Sequence, residues 1–358
     1  MSQRKREIGF YIGTVVSCLV AMIVIVIAAL LIYDKLKSAS EEKQKESQEA
    51  LAPIEQQYGQ SEVDQMIEEA VSKARKEASL DLKEQILGQI AGDLSQGKTM
   101  VETLRPLYPE DIVVVSNGAF HFVPIQENLQ KHGLLQENVV VLENGEMQYI
   151  QDGQLLSHKG IDVSKYQGKI DWQAVAADGI EFAIIRLGIR GYGEEGRIVL
   201  DDMFHTNVQG AQAAGIKVGV YFFAQAITEQ EALEEAQFVL EQIAPYELQY
   251  PIVYDVEKVS ASSGRMNKLS KEERTKVALT FMDAIKDAGY TPMLYANMEM
   301  LSVLIDIAQF EEYHKWYANY GSTLYYPYDF SMWQYSEKGR VNGIQGDVDM
   351  NISFVNEW

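Results

Sequence analysis

The chain has 358 residues, 47% of them hydrophobic, which is enough for one large core or two smaller ones and excludes collagen-like and wholly disordered architectures. Its formal charge of -21, from 31 basic against 52 acidic residues, argues against nucleic acid as a partner, because phosphate binding needs clustered Lys and Arg. A single cysteine, Cys18, leaves no intramolecular disulfide, and the scattered His121, His132, His158, His205 and His314 give no expectation of a zinc site or other cofactor.

Residues 8–33, IGFYIGTVVSCLVAMIVIVIAALLIY, form an uncharged run of 26 residues, enough helix to cross a bilayer core. The run is longer than a usual signal-peptide core and ends in Leu31, Ile32, Tyr33 and Asp34 rather than small residues, so a retained anchor is expected in place of a cleaved leader. Arg4, Lys5 and Arg6 precede it, whereas Lys35 and Lys37 beyond it are offset by Asp34, Glu41 and Glu42. That bias puts residues 1–7 in the cytoplasm and the remainder outside the cell membrane, as a single-pass protein.

Residues 38–98 shift to Glu, Gln, Lys and Ala, with Val63, Ile67, Ala70, Ala74 and Ala78 at helical spacing. This predicts a helical stalk whose alanine-rich seam suits a solvated helix or a weak coiled coil, with a partner helix as an open alternative. Gly88, Gly92 and Gly97 mark its expected end. Residues 99–158 read instead as a small β-rich module, DIVVVSNGAFHFVPI and NVVVLENGEMQYIQDGQLL, with hairpin signals at Asn144-Gly145 and Asp152-Gly153. Packing, spacing and wall binding all remain open for it.

Residues 159–358 alternate strand-like and helical stretches. Strands are expected to start near Gly160, Phe182, Lys217, Pro251, Pro292, His314, Phe330 and Asp347. Helical stretches such as WQAVAADG, HTNVQGAQAAG, ITEQEALEEAQFVLEQI, KEERTKVALTFMDAIKDAG and MLSVLIDIAQF fit after the first five. The last three starts lie too close together for crossover helices, so the prediction is an α/β fold, a TIM-like irregular barrel of five β/α units and three further strands.

The fourth strand, YPIVYDVE, ends in Asp255 and Glu257, and a spacing of two puts both carboxylates on one face. Paired acids at a strand end suit glycoside cleavage, in which one carboxyl protonates the leaving oxygen and another stabilises positive charge at the sugar carbon; acids there also serve as turn or cap residues. Asp162 from strand one and Asp349 from strand eight are expected to join them at the barrel mouth, since strands one and eight become neighbours on closure. Tyr221, Phe223, Tyr295, Trp316, Trp333 and Tyr335, together with Arg186, are candidate sugar-binding side chains, although strand aromatics can equally be core.

Several motifs in order, GIDVSKYQGKIDW, FAIIRLG, YDVE, AGYTPMLYAN and WQYSEKGRVNGIQGDVDMN, resemble glycoside hydrolase family 25, the Chalaropsis-type lysozymes, over roughly residues 159–354. The resemblance implies cleavage of the β-1,4 bond between N-acetylmuramic acid and N-acetylglucosamine in peptidoglycan, with Glu257 in the acid/base place and Asp162, Asp255 and Asp349 in the other acidic places. It does not extend to residues before 159. A glycan-binding scaffold with low or partner-dependent activity is the alternative, and an enzyme for chitin-like polymers would differ only in substrate.

Overall fold

The longest helix, α1 (Gln60–Ser95), stands almost entirely in solvent, with Met66, Ile67, Leu80 and Leu87 exposed. It passes straight through Gly88 and Gly92 and stops only before Gly97, whose φ of 82° a helix cannot continue. In this computed structural model residues 60–260, 263–355 and 357–358 are described. Residues 1–7, the uncharged run 8–33 and the stalk up to residue 59 lie outside them, and no helix among the described residues is long and apolar enough to cross a membrane. The chain divides into two compact units, Met1–Thr103 and Leu104–Trp358, with the short α2 (Met100–Leu104) at the division.

The second unit begins with two small antiparallel sheets. β1 (Asp111–Ser116) and β2 (Ala119–Pro124) join through Asn117 and Gly118, with φ of 51° and 73°, the left-handed pair that matches strand twist. β3 (Val139–Val141), β4 (Met147–Gln151) and β5 (Gln154–Leu155) form the other sheet, with a similar turn at Asp152 and Gly153.

Eight strands then close a barrel. The elements of this region in chain order are β6 (His158–Val163), α3 (Trp172–Ala177), β7 (Phe182–Arg190), β8 (Ile198–Leu200), α4 (Phe204–Ala213), β9 (Lys217–Phe223), α5 (Glu229–Ile243), β10 (Ile252–Asp255), α6 (Lys271–Asp287), β11 (Pro292–Asn297), β12 (His314–Ala318), β13 (Met332–Gly339) and β14 (Val348–Ser353). The ring runs β6-β14-β13-β12-β11-β10-β9-β7 and back to β6, with β8 a short outrider on β7. All pairs in the ring are parallel except the two made by β14. Thr228 caps α5, and Ser270 with Glu273 forms a reciprocal capping box on α6.

The fifth connection differs from the helix expected for MLSVLIDIAQF. It is a π-helical turn, Met300–Leu304, followed by a 3-10 turn, Ile307–Phe310. Arg274 donates to the Leu304 carbonyl at 2.7 Å, and the Thr275 hydroxyl accepts the Asp306 N–H at 2.8 Å, so both groups that would continue the helix are already satisfied.

Alternate residues of each barrel strand face opposite ways. Phe182, Ile184, Tyr250, Val253, Met293, Trp316 and Met332 pack together in the lumen, and Ile185, Val220, Ile252, Leu294, Tyr317 and Trp333 belong to the layer outside it. Phe182 stacks on Tyr250 at 4.4 Å, and Gly160 leaves room for it, since a Cβ there would sit 2.2 Å from the Phe182 ring.

Candidate active site

One hydrogen-bonded rung crosses four neighbouring strands: Phe223 lies beside Asp255, Asp255 beside Tyr295, and Tyr295 beside Trp316. Because the registers align, side chains spread over 94 residues of sequence meet at one level of the barrel mouth. Asp349 arrives by a different route. It is the second residue of β14, at the beginning of a strand, and reaches the mouth only because β14 runs antiparallel to its neighbours.

The resulting cleft, of about 280 Å³, is lined by Asp162, Asp255, Glu257 and Asp349, with Tyr221, Phe223, Tyr295, Trp316, Tyr320, Gln334 and Glu337. A second depression of about 360 Å³ adjoins it through Glu257, Tyr295 and Tyr320 and runs on past Asn297, Glu299 and Asn319.

Burial is the main force on all four carboxyls. It lifts Asp162 and Asp255 well above the ordinary aspartate range, and the negative charges of Asp349 and of Glu257 respectively push the same way. Glu257 is raised by burial too, partly opposed by a hydrogen bond with Tyr295, and the charge of Asp349 adds to the rise. Asp349 is pushed up to about 6. Four acids at one mouth cannot all ionise together, so the site holds protons at a pH where isolated carboxyls would not.

A hydrogen-bond chain fixes these groups. Asn351 and Gln334 both donate to Asp162 Oδ2, at 2.8 and 2.9 Å. Trp316 Nε1 donates to Asn351 Oδ1 at 2.9 Å, and the Tyr295 hydroxyl donates to Gln334 Oε1 at 2.8 Å. The exception is Asp255, whose Oδ1 is buried and has no hydrogen-bond partner within the protein. A bare carboxylate oxygen in a cleft is a costly arrangement unless something that binds there supplies a donor.

The sequence expectations divide cleanly. Asp162, Asp255, Glu257, Asp349, Tyr221, Phe223, Tyr295 and Trp316 all line the one cleft. Trp333 and Tyr335 do not: both are buried on the outer side of β13, where Trp333 Nε1 donates to the Asn319 carbonyl at 2.8 Å and Tyr335 lines a separate depression with Val141 and Met147. The intervening residue, Gln334, is the one that faces the cleft. Arg186 does not line it either. Its guanidinium is held by Asp201 at 2.6 Å and lies 4.9 Å from the Tyr166 ring centroid, and it acts on Asp255 through charge. Sequence reasoning missed Gln334, Asn351, Tyr320 and Glu337. Asn351 was within reach, two residues from Asp349 and so on the same strand face, whereas Tyr320 sits in a loop that no periodicity announces.

The segment at residues 193–200 and the loop after Glu257 meet each other: the Gly193 N–H donates to the Ser263 carbonyl at 3.0 Å. Arg190 donates to the Gly196 carbonyl at 2.9 Å and to Glu235 at 2.8 Å, and Arg265 pairs with Glu231 at 2.7 Å, so this wall is stapled to α5.

Residues 161–344 match the family model for glycosyl hydrolases family 25. Among curated proteins the chain is similar to the uncharacterized protein YegX of Escherichia coli K12, at 31% identity over 54% of this chain and 68% of that one. It is also similar to an autolytic lysozyme of Clostridium acetobutylicum, 27% identical over 54% of this chain and 55% of the relative. Lysozyme M1 of Streptomyces globisporus is 29% identical over 54% of this chain and 66% of its own.

Proposed function

Since the chain belongs to glycosyl hydrolases family 25 and is thus a glycoside hydrolase, we propose that it is a lysozyme cleaving the β-1,4 bond between N-acetylmuramic acid and N-acetylglucosamine in peptidoglycan. The observation that carries this reading is the meeting of Asp162, Asp255, Glu257 and Asp349 in one cleft, in a chain whose relatives include an autolytic lysozyme.

Glu257 is the general acid. Burial and the neighbouring negative charge keep it protonated where an ordinary glutamate would be ionised, so it can pass its proton to the departing sugar oxygen. The open Oδ1 of Asp255 supports a partner role with the substrate: it accepts the N–H of the 2-acetamido group and turns that group's carbonyl oxygen toward the anomeric carbon. That oxygen bonds to the carbon as the glycosidic bond breaks. Water, deprotonated by Glu257, then opens the cyclic intermediate and restores the acetamide. Asp162 and Asp349 set the charge at the cleft floor.

The uncharged run at residues 8–33 supports a tethered enzyme, with residues 1–7 cytoplasmic, the barrel outside and the polar helix as spacer. The exposed Met66, Ile67, Leu80 and Leu87 leave that helix a surface for a partner.

Reducing-end release from purified peptidoglycan, by the full-length chain and by Glu257→Gln, tests the reading. Muramic acid at the new ends, lost in the variant, supports it. Glucosamine ends, or release unaffected by the substitution, would overturn it, and tight glycan binding without release would favour the scaffold alternative.

A further inference from the structure

The β-rich segment before residue 158, outside the family match, grips the loop between β12 and β13. Gln136 does so with both ends of its amide, donating to the Ser322 carbonyl at 2.9 Å and accepting from the Leu324 N–H at 2.7 Å. Arg105 lies 3.6 Å over the Tyr325 ring, whose hydroxyl accepts the Val113 N–H at 2.6 Å, and the Gln126 N–H donates to the Tyr328 hydroxyl at 2.8 Å. The loop held in this way carries Tyr320, which is 54% exposed and lines the catalytic cleft.

Between this loop, the end of β13 and the β3–β4 turn lies a cavity of about 490 Å³, inside the range of about 300–1,000 Å³ usual for ligand sites. Tyr320 and Glu337 line both this cavity and the catalytic cleft, so the two adjoin. Its module wall is firm: Lys159 of β6 pairs with Glu146 of the turn at 2.6 Å, and the neighbouring Met147 is buried.

We propose that this cavity is an additional saccharide subsite, through which the module lengthens the glycan-binding groove of the enzyme. The inference rests on the lysozyme reading for the identity of the polymer. The lining combines the aromatic Tyr320 and Tyr335 and the apolar Val141 and Met147 with the hydroxyls of Ser322 and Ser336. A sugar ring, apolar on its faces and polar at its edge, fits such a wall. The two charges present, Glu337 and Lys338, lie 3.9 Å apart and offset each other, which suits an uncharged sugar better than a charged stem peptide.

The test is equilibrium binding by full-length Glu257→Gln, which prevents turnover, to peptide-free glycans of four and of eight sugars. One more occupied subsite predicts roughly tenfold tighter binding of the longer glycan. Adding Val141→Glu from the module wall, or Ser322→Glu from the loop wall, reduces that advantage to about twofold or less; both positions are exposed, so folding is not at stake. Equal affinity for the two lengths, an advantage untouched by both substitutions, or an advantage that appears only with peptide-bearing glycan would each overturn the proposal. Hydrolysis by the unsubstituted chain is measured in parallel. A length advantage sensitive to Val141 without any hydrolysis removes the lysozyme reading and leaves the subsite, and hydrolysis without a length advantage does the reverse.

Discussion

Asp162 and Asp349 face each other directly across the antiparallel β6–β14 pair, and their carboxyl groups are hydrogen-bonded to one another. Two carboxylates opposed in this way can be joined only if one keeps a proton. Both folded-state values therefore lie above the ordinary 3.8, with Asp349 at about 6. A carboxyl raised on folding binds more protons folded than unfolded, so its contribution to stability falls as pH rises. For Asp349 the loss runs from about pH 4 to pH 6. Melting temperature followed against pH should show Asp349→Asn gaining on the unsubstituted protein across that window. A difference that stays constant with pH would contradict the shared proton.

Asp255 has a buried oxygen without a partner, and it too is raised well above its usual range. Asp255→Asn removes a buried charge, so the substitution is expected to stabilise the protein at neutral pH, with melting raised by about 2–4 °C per kcal/mol. Turnover should fall by about a hundredfold or more, because a neutral amide no longer offsets the positive charge that develops on the acetamido group. A stereochemical assay should find the β configuration retained at the new reducing end. An inverted product would remove the substrate-assisted scheme.

Tyr320 and Trp333 separate binding from packing. Tyr320→Ala takes away a half-exposed cleft ring and should raise KM several-fold with little change in melting temperature. Trp333→Ala empties a fully buried site and frees the Asn319 carbonyl, at a cost of about 3–5 kcal/mol. Denaturant titration of both variants checks the contrast, and equal destabilisation would undo it.

Glu235, without exposed surface, accepts from Arg190 at 2.8 Å, from the Tyr254 hydroxyl at 2.9 Å and from the Gln225 N–H at 3.3 Å. Burial raises it to about 7 despite the arginine. Arg190→Ala leaves this acid unpaired and should cost roughly 3–5 kcal/mol. The deficit should be larger at pH 8 than at pH 5, where Glu235 takes up a proton. Since Arg190 also holds Gly196, kcat/KM on long glycans should fall as the rim loosens. A pH-independent deficit would show that the ion pair is not its source.

Local periodicity in the sequence was enough to segment the barrel. Strand starts at Phe182, Lys217, Pro292 and His314 fall on the expected residues, because apolar β-branched and aromatic runs between helical patterns leave little choice of element. The two-residue spacing of Asp255 and Glu257 likewise fixes a common face for any strand that contains them. Periodicity says which residues share a face, but not which face turns inward. That depends on the registers of all eight strands once the ring closes, and it is why Trp333 and Tyr335 lie outside the barrel while Gln334 enters the cleft. The direction of β14 was equally out of reach, and it alone brings Asp349 opposite Asp162. Tyr320 is further still from local reasoning: its loop is held by Gln136, more than 180 residues earlier, through hydrogen bonds that exist only after the two segments have folded together.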